Sequence, residues 1–482
     1  MTTLFFIALL VLSTTAGYSL ARALPWRSDR HAMCLIWPFA IMTGPFLFGF
    51  SIIIAIFLFD GASPRTHLLL ATCTLIICLL VLFAWTQKLQ AFSATTHTHT
   101  EKPIVHWIWI ALFLACAAEM LVLAWKLPLV QNDPLEYALV GRAMYETRSL
   151  SIYPLLDGNI STSGFYAPWT HPPLYPALIY AMYALQGSAE TAGWMKAIAP
   201  WFMLAAATGV IGLACLKDRC TGWVAGLFFL TTPLLLNSAQ DAAIDALPVC
   251  GQVLLMAGIA GFRRDRPSIT GMWIGLLAGL VLWTHSQAIL YPLVLIPVWL
   301  LTGGLQQWRM SIRSLMVALP MMAVIAAYPY WRNLMLYGTL ISDNPAVFAL
   351  PSLDWNGFFK YTRGIYGWIN QLQYGLFKGF SAIHDFGFSF WLSALAILYL
   401  LRKGMLRSWW NDRHHMTTMQ GPSAPMLMAL TFAVIYHAGV LLSILLGIDL
   451  MIKNNRYFLA MTPFVSIMAA WFVMQPWRKE GA

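Results

Sequence analysis

The sequence predicts an all-α polytopic membrane protein of about thirteen transmembrane helices. Three observations predict it. Of the 482 residues, 59% are hydrophobic and only 10% are charged, where a soluble domain carries about 25% charged residues. The mean hydropathy is +0.67. The apolar residues also fall in continuous runs, many near the roughly 18 residues that a spanning helix needs. A membrane barrel would alternate apolar and polar positions instead, so the runs satisfy their backbone groups as helices.

In chain order the runs cover residues 3–20, 33–59, 67–85, 106–125, 196–216, 221–237, 244–262, 271–283, 287–301, 315–330, 386–401, 425–446 and 457–474. The first run has no basic residue before it, so it reads as a retained span rather than a cleaved leader. Residues 1–105 form an N-terminal extension of three spans. Residues 106–482 form the main region, with large loops at 126–194 and 331–385. The seven cysteines lie in or beside apolar runs without ligand-like spacing, as small buried hydrophobes do.

The net charge of +10 is not a nucleic-acid signal, because the basic residues sit in short loops between spans. Arg22, Arg27 and Arg30 share one loop. Lys217 with Arg219, the cluster Arg263, Arg264 and Arg266, and Arg309 with Arg313 share others. Arg402, Lys403, Arg407 and Arg413 follow, then Arg478 and Lys479. The positive-inside rule makes these loops cytoplasmic. The N-terminus is then outside and the C-terminus inside. The apolar stretch 172–185 is about 14 residues long, short for a crossing, and letting it cross would invert the basic loops after it. It therefore reads as a helix in the external interface, rich in Tyr175, Tyr180 and Tyr183, with a companion near 135–146.

That parity collects the separated polar groups on one face. Asp133 and Glu136 open the stretch 131–176, QNDPLEYALVGRAMYETRSLSIYPLLDGNISTSGFYAPWTHPPLYP. At i and i+3 they share a helix face, and a general base is what an attacking hydroxyl or amine requires. Asp-Pro-x-Glu is equally a helix start, and for Asp133 the two roles coexist. Asp241 and Asp245 are i and i+4 at the mouth of a helix, Asp245 the deeper. Acids near the bilayer core are costly and default to function, whereas Asp241 also reads as a solvated cap. His285 breaks two runs, as a plain turn residue also does. Arg332 and Arg456 each stand at the end of a span, where the guanidinium fork suits a phosphate or a lipid headgroup. His171 precedes the Pro-Pro pair as a site residue or an interfacial anchor.

No Gly-rich phosphate loop, HExxH or GxSxG motif occurs. Nucleotide-activated donors are cytoplasmic, and no cytoplasmic loop is long enough to house a domain for them. An external enzyme must draw on a donor carried by the membrane, and a polyprenyl-phosphate sugar fits apolar walls with an Arg-bearing mouth.

The ordered set of acidic loop, HPPLYP, external Asp at a helix start, GLLAGL, PYWRNLMLYGTLI and NRYFLAMTP resembles the GT-C superfamily of glycosyltransferases. The likeness is to the bacterial relatives of protein O-mannosyltransferases and lipid A aminoarabinose transferases, and it runs from about Trp125 to the C-terminus. It implies a GT-C-like bundle with external interfacial helices, in which Asp133 is the catalytic acid of the first loop and Asp245 the second-site acid. It also implies contacts to substrate from Tyr175, Arg332, Arg456 and Tyr457, and His171 and His285 are substrate-binding candidates from their positions in the chain. Two positions depart from the pattern. His285 stands where the family often has a lysine for the donor phosphate. Pro134 follows Asp133 where the family often has Glu, and the acid is displaced to Glu136. The first three spans lie outside the likeness.

The resemblance implies transfer of a sugar from a polyprenyl-phosphate donor to a lipid, glycan or protein acceptor, at the outer face of a bacterial inner membrane, with membrane lipids but no nucleic acid as partners. No cofactor is required; a divalent cation bridging carboxylate and phosphate is compatible. The rivals are a flippase for lipid-linked sugars, with charges inside several spans, and an O-antigen polymerase or ligase centred on Arg and His.

Overall fold

The computed structural model describes residues 2–26, 30–88, 103–130, 132–150, 171–262, 265–302, 308–337, 387–402 and 459–476, with a few positions between 429 and 438. Helices dominate, and among the described residues there is no strand beyond one isolated bridge, Trp26 with Phe262. In order the helices are α1 (Thr2–Ala23), α2 (Arg30–Leu58), α3 (Pro64–Lys88), α4 (Pro103–Lys126), α5 (Asn132–Thr147) and α6 (Leu174–Gln186). They continue with α7 (Ile198–Cys215), α8 (Arg219–Leu230), α9 (Pro233–Gln240), α10 (Ala246–Gly261), α11 (Pro267–Leu282) and α12 (Leu290–Thr302). The last are α13 (Trp308–Tyr337), α14 (Phe388–Arg402) and α15 (Thr462–Val473). Short 3₁₀ turns, Gly193–Ala197 and Ser286–Ile289, precede α7 and α12.

The protein is an all-helical, multi-pass membrane protein. Among the described residues, six helices are long and apolar enough to cross a bilayer, or seven if α8 and α9 make one bent span. Shorter apolar helices stand at α10, α11, α12, α14 and the end of the chain. Each run anticipated from hydropathy coincides with one of these elements except 221–237, which is divided between two, and 425–446, most of which lies outside the described residues. Large apolar side chains such as Leu4, Leu69, Leu80, Trp107 and Met316 face outward, as lipid-facing positions do.

Two boundaries differ from the sequence expectation. The run 221–237 is interrupted between α8 and α9, which meet at 60°. Pro233 supplies no N–H to the preceding turn and disfavours helical backbone at Thr232, whose backbone is extended. The run ending near 330 continues as α13 to Tyr337 with Pro320 and Pro329 inside it. Trp331 to Tyr337 contains neither Gly nor Pro, so nothing stops the helix there, and Arg332 and Asn333 are helix residues.

Helix register decides which ends meet. Gly251 of α10 packs on Val281 of α11, and Gly258 packs on Leu277, so these two helices are antiparallel. Gly275 lies against Ala318 of α13, and further along Trp283 Nε1 donates to the Ile325 carbonyl at 2.7 Å. The Tyr330 hydroxyl donates to the Leu282 carbonyl at 3.2 Å. α11 and α13 are therefore parallel and closely packed. A Cβ at position 275 would lie 2.3 Å from the Ala318 carbonyl oxygen, a separation only glycine permits, as in small-residue packing between membrane helices. The start of α10, the end of α11 and the end of α13 consequently share one end of the bundle.

α6 forms over the residues that the sequence assigns to a short helix, but as a protein-covered one. It is apolar all round, and such a helix is buried on every side: residues 174 to 184 are all buried. Protein covers it from α5, α2, α3, α1 and the 3₁₀ turn before α7. On the α5 side Gly141 allows contact with Ile179. On the other side His67 of α3 is fully buried. Its Nδ1 lies 2.5 Å from the Tyr180 hydroxyl and its Nε2 2.9 Å from the Phe59 carbonyl oxygen. The first three helices are packed into the same core as α6, α7 and α10.

Candidate functional site

The site builds up around the N-terminus of α6. α5 begins at Asn132, so Asp133 lies in its first turn, where a carboxylate suits the positive end of the helix dipole. One turn on, the Glu136 carboxyl is raised above the ordinary glutamate range, first by partial burial and then by the negative charge of Asp133. The shared face foreseen from the i, i+3 spacing therefore has an electrostatic consequence. The opposite face of α5 is solvated or lipid-facing, with Leu135 and Leu139 exposed and an exposed Arg142–Glu146 pair at 2.7 Å. Such a pair adds little stability.

Tyr137 follows Glu136 and turns inward. Its ring packs edge-on against Tyr175 at 5.3 Å between centroids and lies 6.2 Å from His171. His171 in turn stacks on His285, with centroids 4.1 Å apart and planes 29° from parallel. Ser286 Oγ lies 2.7 Å from His171 Nδ1. The break after α11 places His285 here. Trp283 ends the helix, Thr284 turns back on the Val281 carbonyl, and the 3₁₀ turn 286–289 begins. His285 and Ser286 are both buried.

The second arm enters through α9 and α10. Asp241 closes α9, and partial burial raises its carboxyl above the ordinary aspartate range. Ala242 is fully buried with φ +51°, a region that costs a residue with a Cβ about 1–2 kcal/mol. The Tyr175 hydroxyl donates a short hydrogen bond to the Ala242 carbonyl. Tyr175 is itself fully buried, and that burial pushes its hydroxyl far above the ordinary tyrosine range, so it stays protonated and donates. Asp245 occupies the N-cap position of α10, yet its side chain makes no capping bond to the helix, and it is buried. It lies within electrostatic reach of Tyr175 and Tyr291.

Four residues singled out by sequence are thus joined into one cluster: His171, Tyr175, His285 and, through the Ala242 turn, Asp245. Tyr137 connects that cluster to the α5 turn bearing Asp133 and Glu136. Arg332 is half-buried on α13, two residues beyond Tyr330, whose bond to Leu282 fixes that end of α13 beside the end of α11. Arg456 and Tyr457 lie outside the described residues. Just beyond them, among the described residues, Gln252 of α10 donates to the Ala460 carbonyl at 2.9 Å. Sequence reasoning missed Tyr137, Ser286 and Ala242; an alanine in the left-handed region leaves no trace in composition or hydropathy. Among the described residues no three His, Cys, Asp or Glu side chains are grouped as a metal site.

No family model and no curated protein matches the chain. A solved structure does. The chain is similar to ArnT from Cupriavidus metallidurans, whose crystal structure contains undecaprenyl phosphate. The identity is 17%, the TM-score 0.49, and the likeness covers 76% of this chain. The chain spans 60% of that ArnT structure.

Proposed function

We propose that the protein is a GT-C-type glycosyltransferase that moves a sugar from a polyprenyl phosphate to an acceptor hydroxyl or amine, at the external face of a bacterial inner membrane. The observation that supports this reading is the joining of the His171–His285 stack to the α5 turn bearing Asp133 and to the buried Asp245, at one end of a lipid-embedded bundle. The Asp133 carboxylate accepts the proton of the acceptor as its oxygen or nitrogen bonds to the sugar C1. The bond from C1 to the phosphate oxygen breaks, and polyprenyl phosphate leaves with the electron pair. One displacement inverts the anomeric centre. His171, His285, Arg332 and Arg456 meet the charge on the leaving phosphate, and stabilising such developing charge is where most of a catalytic advantage lies. Glu136 and Asp245 flank the acceptor. The basic loops, assigned to the cytoplasm, support the external placement.

The test is Asp133→Asn in purified protein, supplied with undecaprenyl-phosphate sugars. The reading expects a folded protein that still binds undecaprenyl phosphate but transfers sugar at least about a hundredfold more slowly, the size of effect a general base supplies. An equally active variant removes Asp133 from the chemistry. Passage of intact donor across a reconstituted bilayer without consumption would replace the enzyme by a flippase.

A further inference from the structure

The hydrogen bond from Tyr175 to Ala242 reaches from the first turn of α6 to a turn far along the chain. That turn is unusual in two respects. Ala242 is a non-glycine residue held in the left-handed region with no exposure to solvent, a conformation that persists only where its surroundings enforce it. Three residues later comes Asp245, buried, at the N-cap of α10, where its side chain makes none of the capping bonds that position invites. The chain between them is short. Ala243 N–H donates to the Ser238 carbonyl and Leu247 N–H to the Ile244 carbonyl, so the backbone angle at Ala242 sets the direction in which Asp245 leaves.

Tyr175 has no solvent exposure, and its hydroxyl is spent on the Ala242 carbonyl. A side chain so placed acts through the turn and not on a substrate. Its ring is wedged against Tyr137 of α5, so the same side chain fixes the spacing between the helix bearing Asp133 and the turn bearing Asp245.

We infer that Tyr175 is a positioning residue: its hydroxyl holds Ala242 in the left-handed conformation and thereby aims the Asp245 carboxylate into the site beside α5. The inference rests on the glycosyltransferase reading for its effect on rate, and on geometry alone for its effect on the turn.

The test separates the two. In full-length Tyr175→Phe, amide hydrogen exchange over 239–247 is expected to accelerate about tenfold, the equivalent of one lost hydrogen bond, while exchange in α7 stays unchanged. Unchanged exchange at 239–247, or acceleration throughout the bundle, overturns the positioning role whatever the protein catalyses. With an undecaprenyl-phosphate sugar as donor, Tyr175→Phe is expected to lower kcat about tenfold with KM for the donor unchanged. In the Asp245→Asn background it is expected to lower kcat by less than about twofold more, since coupled residues are not additive. Adding Ala242→Gly to Tyr175→Phe is expected to restore kcat to within about threefold, because glycine adopts positive φ without the Cβ penalty. Full additivity with Asp245→Asn, or no rescue by glycine, overturns the link to Asp245. Accelerated exchange in a protein that transfers no sugar would uphold the turn and remove the transferase reading.

Discussion

His171 and His285 stack face to face, with ring centroids 4.1 Å apart. One leads into α6 and the other ends the break after α11, so the contact closes the two halves of the chain onto one site. The pairing bears on the departure noted in the sequence, a histidine where the glycosyltransferases it resembles often carry lysine. His285→Ala is expected to weaken undecaprenyl phosphate binding about tenfold, the worth of a hydrogen bond to a charged group. His285→Lys is expected to keep or tighten it. Titration of the purified variants with undecaprenyl phosphate measures both. Equal affinity in all three proteins would exclude His285 from the phosphate site.

Glu136 is expected to make stability depend on pH. Its carboxyl is raised in the folded protein, by burial and then by Asp133. The unfolded chain therefore loses this proton first, near pH ~4.3. Between that value and the higher folded value the folded state binds more protons, so stability falls as pH rises. The cost is absent below the unfolded value and complete above the folded one. Glu136→Gln is expected to flatten this decline in thermal melts that cross the carboxylate range. Parallel melting curves for the two proteins would show that Glu136 is not responsible.

Gly275 is one of the positions where α11 closely meets the backbone of α13, and a Cβ there meets the Ala318 carbonyl. Gly275→Val is expected to destabilise the protein by about 1–3 kcal/mol through overpacking, read as a lower Tm in detergent. Since the same pair of helices holds His285 and Arg332 at their shared end, undecaprenyl phosphate affinity is expected to fall with it. An unchanged Tm would mean that the helices can part at no cost.

His67 ties the first three helices to α6. His67→Leu leaves the buried Tyr180 hydroxyl and the Phe59 carbonyl without this partner, at a cost of about 1–3 kcal/mol. Tyr180→Phe added to it is expected to cost less than the sum of the two singles, because both remove one interaction. Chemical denaturation of the three variants checks this, and strict additivity would argue that the His67–Tyr180 bond contributes nothing.

Much of the helix pattern was legible in the sequence, because a bilayer demands long apolar runs and leaves few alternatives. Polar and proline punctuation also exposed the break at His285, since Thr284 and Ser286 interrupt an otherwise continuous run. The bend at Thr232 was hidden by hydropathy, which registers Pro233 only weakly. The extent of α13 was hidden because Arg332 and Asn333 look like loop residues, although both are compatible with helix. At the site, parity of the spans is enough to expect Asp133, His171, Asp245 and His285 on one face. Which of them touch was not legible. The stack of His171 on His285 and the grip of Tyr175 on Ala242 depend on helix register, and register is set by contacts such as Gly251 on Val281 that no local pattern reveals.

The central claim is that one end of this bundle binds the phosphate of a membrane-carried donor. An experimental structure of the full-length protein with undecaprenyl phosphate tests it most directly. The account predicts density for the phosphate between the His171–His285 stack and Arg332, at the end of the bundle that carries Asp133. A phosphate bound at the opposite end of α10 and α11, or no ordered phosphate at saturating ligand, would contradict it.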